Sequence, residues 1–465
     1  MRPPHDVPDA PASGGLVAAC YPDNSGVVRV KVVPAERLAQ AAASGIGMSP
    51  VFDTFLSDDR TITTDRAGGP VGDLRLHPDT GAVRRLPMPG WQWAPVDRRR
   101  PDGSPHAQCH RSVAHRAVCA AADAGVSARI GFEIEWVVGR LDGDDFVPAT
   151  TGPGYGMTRV VEAADYLRAV YDGLDAAGVG VEQLHPEYAP GQFEVALGPT
   201  DPVGAADDVL VAQEVVRAVS IRFDLRASFS PVVWPGGVGN GRHVHASVWQ
   251  GDANLLAGGP GPRGMTADGE RFVAGVLRSL PALVAVGCPS PVSFGRLAPG
   301  HWSGPFACWG LENREAAIRL VTAARAGDDP SANFEWKNPD ATASPYLVVA
   351  GILACGVDGL ARGDRLPDEV TVDPAVAGAV GAAGDGTVGS DDDDGGPVPG
   401  GGPFPGGAFP PSLGDALDAL AASDVLADAL GPDLHQTYVA VRRAEAAAAV
   451  GVAEADLVAS YRFRY

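Results

Sequence analysis

Three short stretches set ligand-type side chains on alternate residues: Glu133 and Glu135 in G-F-E-I-E-W, His243 and His245 in G-R-H-V-H-A-S, and Glu335 with Lys337 in F-E-W-K. Residues i and i+2 of a strand share a face, so each pair presents two such groups together. Glu187 and Glu194 flank a Pro190-Gly191 turn signal in E-Y-A-P-G-Q-F-E, which can fold the second carboxylate back toward the first. These acids and imidazoles exceed what one divalent ion needs. Oxygen donors with some imidazole suit two hard cations, Mg²⁺ or Mn²⁺, whereas zinc more often recruits cysteine. Taken singly the motifs have blander readings, E-x-E as the wet face of a strand and H-x-H as a structural pair. Glu187 and Glu194 resist such a reading, because a buried carboxylate without a partner is costly and normally finds a cation.

Arginines extend the constellation: Arg296 in F-G-R-L-A-P-G-H-W, then Arg314 and Arg319 in E-N-R-E-A-A-I-R-L. A guanidinium is a rigid fork of donors matched to phosphate and carboxylate oxygens. Arginines beside a two-metal carboxylate site therefore point to phosphoryl chemistry on a carboxylate substrate.

Holding such groups together takes strands, and the chain has room for them. Its 465 residues are 45% hydrophobic, enough for a large core and two to three domains. Residues 1–13 read as disordered. Short β-rich runs with one helix near Ala35 to Ala43 make a small α+β domain over 14–108. From 109 to 465, helical patterns (from Ser112, Glu162 to Ala177, Pro202 to Ala218, Glu270 to Leu283, Tyr346 to Leu360, Gln436 to Ala449) alternate with the strand-like motifs. The fold class is α+β with a mostly antiparallel sheet. A Gly/Pro/Asp-rich stretch at 378–411, with Asp391 to Asp394 as a solvated acidic run, reads as a flexible insertion.

The formal charge of −21 disfavours nucleic acid and anionic membranes as partners and favours cations, metal ions and protonated amines among them. No uninterrupted run of about 18 apolar residues occurs and no secretory signal opens the chain, so it is read as cytoplasmic. The six cysteines lack C-x-x-C spacing and are expected as free, buried thiols. Lys31 and Lys337 are the only lysines, which sets the one in F-E-W-K apart from surface filler.

In their order along the chain, G-F-E-I-E-W, E-Y-A-P-G-Q-F-E-V, G-N-G-R-H-V-H-A-S-V-W, R-L-A-P-G, E-N-R-E-A-A-I-R and F-E-W-K-N-P-D-A-T-A-S-P-Y-L resemble the glutamine synthetase family over about residues 25–465. The resemblance implies an N-terminal β-grasp domain and a catalytic domain with a curved, mostly antiparallel sheet flanked by helices. It implies one metal on Glu135, Glu187 and Glu194 and another on Glu133, His243 and Glu335, with ATP as cosubstrate. By the same resemblance His245, Ser247 and Arg319 meet the nucleotide phosphates, Arg314 clamps the transferred phosphoryl group, and Arg296 with Gly239 forms the substrate carboxylate pocket. The implied reaction activates the γ-carboxylate of glutamate as an acyl phosphate, which an amine then attacks, in a homo-oligomer of hexameric rings.

Two departures stand out. Where the family has R-x-x-P-G-Y-E, with a flap glutamate for ammonium, this chain has R-L-A-P-G-H-W and places Trp302 there. An indole cannot serve as that carboxylate but can line a pocket for an organic amine or stack on its cation, as in the branch making γ-glutamyl-polyamines, -ethanolamide or -anilide. Lys337 stands where the family usually has an arginine, keeping the charge and losing the fork. For the acidic group that the family contributes to a neighbouring subunit, the candidate is Asp53 in V-F-D-T-F.

Overall fold

The computed structural model describes residues 14–143, 145–322, 330–376 and 409–465. The N-terminal stretch expected to be disordered and all but the last three residues of the 378–411 insertion lie outside them. Strands β1 (Leu16–Pro22), β2 (Val28–Pro34), β3 (Ile46–Met48), β4 (Leu74–Pro78), β5 (Arg84–Arg85) and β6 (Trp91–Arg99) form a first sheet in the order β2-β1-β6-β4-β3, with β5 beside β6. Strict alternation along β1 splits its side chains between two cores. Ala18 and Cys20 join Trp93 in the main one, while Ala19 and Tyr21 pack with Met48, Leu76 and Val96 on the other face.

The second sheet carries β7 (Ser127–Asp142), β8 (Asp145–Pro148), β9 (Val181–Pro186), β10 (Gln192–Leu197), β11 (Arg226–Ser228), β12 (Arg242–Gln250), β13 (Ala253–Asn254), β14 (Phe306–Leu311), β15 (Ala316–Val321) and β16 (Asn333–Trp336). Its path is β14-β15-β16-β12-β7-β10-β9, antiparallel at each step except β14–β15, in line with the mostly antiparallel expectation. One alternation runs through it. Ile130, Phe132, Ile134 and Trp136 of β7, Phe193 and Val195 of β10, Val244, Ala246 and Val248 of β12, and Phe334 and Trp336 of β16 enter the main core. The residues between them, Glu133, Glu135, Glu194, His243, His245 and Glu335, are left to the opposite face.

Helices back the core face: α1 (Leu38–Ser44) lies on the first sheet, and α2 (His110–Asp123), α3 (Met157–Glu162), α4 (Ala164–Ala176), α5 (Pro202–Arg222), α6 (Ala267–Arg278), α7 (Leu280–Gly287) and α8 (Pro345–Arg362) follow after it in the chain. The helical run expected over Glu270 to Leu283 breaks at Ser279, because Pro281 enters the first turn of α7 without an N–H to continue α6. Among the described helices α8 alone is long and apolar enough to cross a membrane. It is 67% buried and packs as a core helix, with Asp358 and Arg362 interrupting its apolar run. All six cysteines are free, and Cys119 differs from the expectation in being exposed.

Candidate active site

Pairing register gathers the motifs. His243 of β12 lies opposite Glu133 of β7, and His245 opposite Glu335 of β16, which in turn faces Arg319 of β15. Glu194 of β10 lies opposite both Glu135 of β7 and His185 of β9. The result is a continuous band of acids and imidazoles across five strands and Arg319 on a sixth. His243 Nδ1 stands 3.5 Å from Glu133 Oε2 and 3.5 Å from Glu335 Oε1, and His243 Nε2 is 3.7 Å from Glu135 Oε1. His245 Nε2 is 3.2 Å from Glu133 Oε1, and His185 Nε2 is 3.3 Å from Glu194 Oε1.

Ligand atoms within 4.8 Å of one another form three overlapping groups: Glu133, His245 and Glu335; Glu133, Glu194 and His243; His185, Glu187 and Glu194. This grouping differs from the two triples implied by sequence. His185 stands with Glu187 and Glu194, and Glu135 is tied down by the Gly241 amide (2.8 Å) and Gln192 Nε2 (3.2 Å) on its Oε2, leaving Oε1 toward the site. Burial, reinforced by the charge of Glu135, lifts the Glu187 pKa to about 7. Burial with Glu133, Glu135 and Glu187 nearby raises Glu194 well above the usual range. Burial alone would raise Glu133 too, but His243 and His245 hold it well below. Likewise Lys337 and the two imidazoles override burial to lower Glu335 to about 2, and Glu133 overrides it to raise His245 to about 9. Mutually repelling carboxylates, with buried His185 Nδ1 and His243 Nδ1 lacking hydrogen-bond partners, are a donor set that fits divalent cations.

Glu133, Glu135, His185, Glu187, Glu194, His243 and His245 line a cavity of about 760 Å³ together with Ser247, Gly239, Arg296, Arg314, Arg319, Lys337 and Trp302. Lys337 is buried with its Nζ 2.9 Å from Glu335 Oε1, and Arg319 Nη1 is 3.1 Å from Glu335 Oε2 while Nη2 reaches Glu312. Arg296 is buried and donates to the carbonyls of Asn338 and Pro339. Arg314, on the β14–β15 turn, is exposed and makes no ion pair among the described residues. Ser247 Oγ accepts from Trp249 Nε1 at 2.8 Å. Gly239 has room for nothing larger, since a Cβ there would sit 2.2 Å from the Pro231 carbonyl and 2.5 Å from Arg296 Cγ.

At the other side of the cavity an aromatic wall rises. Trp302 is 42% exposed in a left-handed backbone conformation (φ 52°), and its amide is held by Glu315 Oε1 at 2.8 Å. Its indole meets Tyr188 edge-on at 5.3 Å, and Tyr188 meets Tyr155 edge-on at 5.3 Å. Tyr155 Oη donates to Glu187, joining the wall to the acids. Sequence reasoning missed His185, Tyr155 and Tyr188. His185 could have been found by its i, i+2 spacing to Glu187; Tyr155 and Tyr188 carry no periodic signal. Asp53, the candidate for an acidic group shared with a neighbouring subunit, is 1% exposed and paired with Arg98 and His106 of its own chain.

The family model for the glutamine synthetase catalytic domain matches residues 107–382. The chain belongs to the glutamine synthetase family. Its architecture is the glutamine synthetase type, a curled sheet flanked by helices, and it is a ligase of that family, whose chemistry is ATP-dependent and supported by divalent metals. It is 47% identical over 455 residues to gamma-glutamylpolyamine synthetase GlnA3 of Streptomyces coelicolor, covering 97% of this chain and 93% of that protein. It is 30% identical over 433 residues to the glutamine synthetase of Halobacterium salinarum, covering 91% and 88%. Among solved structures, a novel glutamine synthase homolog superposes with a TM-score of 0.82 at 29% identity over 98% of this chain and 100% of that one. A GmaS/ADP complex superposes with a TM-score of 0.78 at 26% identity over 95% of each chain.

Proposed function

We propose that this ligase couples the γ-carboxylate of glutamate to an organic amine, a polyamine foremost, using ATP. The observation that carries the reading is the Tyr155–Tyr188–Trp302 wall set against Glu187 where an ammonia-using enzyme needs a carboxylate at the flap. Rings flanked by acids suit an alkylammonium chain, apolar along its methylenes and cationic at its ends. The acidic surface draws such polycations in. The polyamine synthetase of S. coelicolor, nearly half identical, and the ADP held by GmaS support the amine and the nucleotide respectively.

In this reading Glu135, Glu187 and Glu194 hold one Mg²⁺ or Mn²⁺ and Glu133, His243 and Glu335 the other, with His185 added to the first set. Bound divalent ions supply positive charge at the β- and γ-phosphate oxygens. His245, Ser247 and Arg319 orient the nucleotide phosphates, and exposed Arg314 is free to follow the phosphoryl group as it moves to the glutamate carboxylate. Arg296 and Gly239 shape the pocket for the substrate carboxylate. Lys337 neutralises Glu335 and leaves the acid substrate without the second guanidinium fork. The enzyme is proposed to act in the cytoplasm as hexameric rings.

Purified protein should form ADP and phosphate only when glutamate and an amine such as putrescine, spermidine, ethanolamine or aniline are both present. Trp302→Ala should raise the KM for the amine by roughly 3- to 30-fold, the worth of a cation–π contact, with the KM for glutamate little changed. Turnover as fast with ammonia alone would make it an ordinary glutamine synthetase. ATP binding without turnover of any amine would make it a non-catalytic homologue.

A further inference from the structure

On the face of β12 opposite His243 lies a second cavity, of about 230 Å³, lined by Val27 and Val28 ahead of and in β2, Gln213, Glu214 and Arg217 of α5, Arg242, and Arg464. Arg242 is wholly buried there. It donates to the Ala343 carbonyl and, at 3.4 Å, to Gln213 Oε1, but its Nε has no partner. Among the described residues it makes no ion pair. The carboxylate that acts on it, Asp340, does so without an ion-pair contact; its Oδ1 accepts from Thr342 and its buried Oδ2 has no hydrogen-bond partner. A buried charge without a contacting counter-ion is costly and calls for an anion. Arg464 also lines the cavity, its guanidinium donating to the Ser57 hydroxyl (3.0 Å) and lying over the Tyr461 ring, whereas Arg217 is paired with Glu214. Among the described residues neither Arg242 nor Arg464 has a contacting carboxylate, and Glu214, the acidic side chain of the lining, is taken by Arg217.

We propose that this cavity binds a small dianion, a dicarboxylate or a phosphate group, gripped by Arg242 and Arg464 with the Gln213 amide, and that its occupancy is felt at the metal cluster. The fork geometry of two guanidiniums favours oxygen pairs over halide-like spheres. Coupling has a short physical route: Arg242 immediately precedes His243, and its amide donates at 2.7 Å to the Pro339 carbonyl, which also accepts from Arg296 Nη2 at 3.2 Å. An anion pulling on Arg242 therefore acts on a strand position next to an imidazole of the site and on an acceptor shared with its buried arginine.

The test titrates the full chain with succinate and with inorganic phosphate by calorimetry and follows ADP formation with and without succinate. Saturable binding of at least one probe is expected, weakened by roughly tenfold or more in Arg242→Met and in Arg464→Ala through loss of charge-assisted hydrogen bonds. Binding should be unchanged in Arg314→Ala, whose arginine lines only the catalytic cavity. Succinate should alter the turnover of the parent chain and leave that of Arg464→Ala unchanged. If Arg242→Met does not fold, Arg464→Ala and Gln213→Leu carry the same comparison. The proposal is overturned if neither probe binds saturably. It is equally overturned if binding survives in the Arg464 variant and is lost in Arg314→Ala, which would place the anion in the catalytic cavity. Because binding is read directly, these outcomes do not depend on which amine the ligase uses.

Discussion

Glu335 is held by more than a metal would require. Its two oxygens take Lys337 and Arg319, and both imidazoles of β12 lie close by. The i, i+2 pairing with Lys337 was legible in F-E-W-K, but not that the lysine, 3% exposed, would turn back onto its own strand neighbour. The consequence is that Glu335→Ala should do two things at once. It removes a candidate ligand and leaves a buried ammonium unpaired, a loss of about 3–5 kcal/mol for such a broken pair. Activity should vanish and the melting temperature should fall. The double variant Glu335→Ala, Lys337→Met removes the orphaned charge, so thermal melts should show much of the stability returned while Mn²⁺ titration still shows a weakened site. Turnover regained by the double variant would mean that Glu335 is structural only.

At the level of strands, alternation was readable and register was not. E-x-E, H-x-H and E-x-K each announce a strand with one chemical face, and the apolar residues between them announce its core face. Which strand lies beside which is set by pairings far apart in sequence, such as Glu194 with Glu135 and His185, so the implied division of ligands left out His185. Tyr155 was beyond reach for a different reason. It sits at φ 55° in the glycine turn G-P-G-Y-G, where neither period operates. The glycines before β12 show how finely the strand's entry is built. A Cβ on Gly241 would fall 2.3 Å from His243 Nε2, the movable end of a side chain, whereas one on Gly239 would meet the Pro231 backbone. Gly241→Ala should therefore displace the imidazole, with Mn²⁺ affinity by calorimetry down about tenfold and little change in melting temperature, since support of a ligand is worth 10- to 100-fold. Gly239→Ala should instead lower the melting temperature outright. Equal behaviour of the two would mean that the His243 ring is not what Gly241 protects.

Across the whole molecule the first sheet and the catalytic region are joined by a buried polar network that composition could not reveal, since its members come from separate segments. Asn24, in the turn after β1, donates to the Asp53 carbonyl (2.8 Å) and to Gln108 Oε1 (3.0 Å), and Gln108 Nε2 reaches Thr437 at 3.2 Å. His110, the first residue of α2, lies 2.8 Å from Asn24 Oδ1 through Nε2 and 3.0 Å from Ser344 Oγ through Nδ1. The neutral ring fits both contacts, its Nε2 donating to the amide oxygen and its Nδ1 accepting from the hydroxyl. Burial, aided by the charge of Arg98, lowers its pKa to about 3, against about 6.5 in the unfolded chain. Between those values the unfolded chain binds a proton that the folded one refuses, so this residue's contribution to stability is whole above pH 6.5 and is lost as pH falls toward 3. Denaturation midpoints should drop on acidification from pH 7 to pH 5, and His110→Gln, which keeps a donor and an acceptor but cannot titrate, should flatten that part of the slope while lowering stability at pH 7. A variant that retained the full acid slope would assign it to other groups and leave the His110 junction as packing alone.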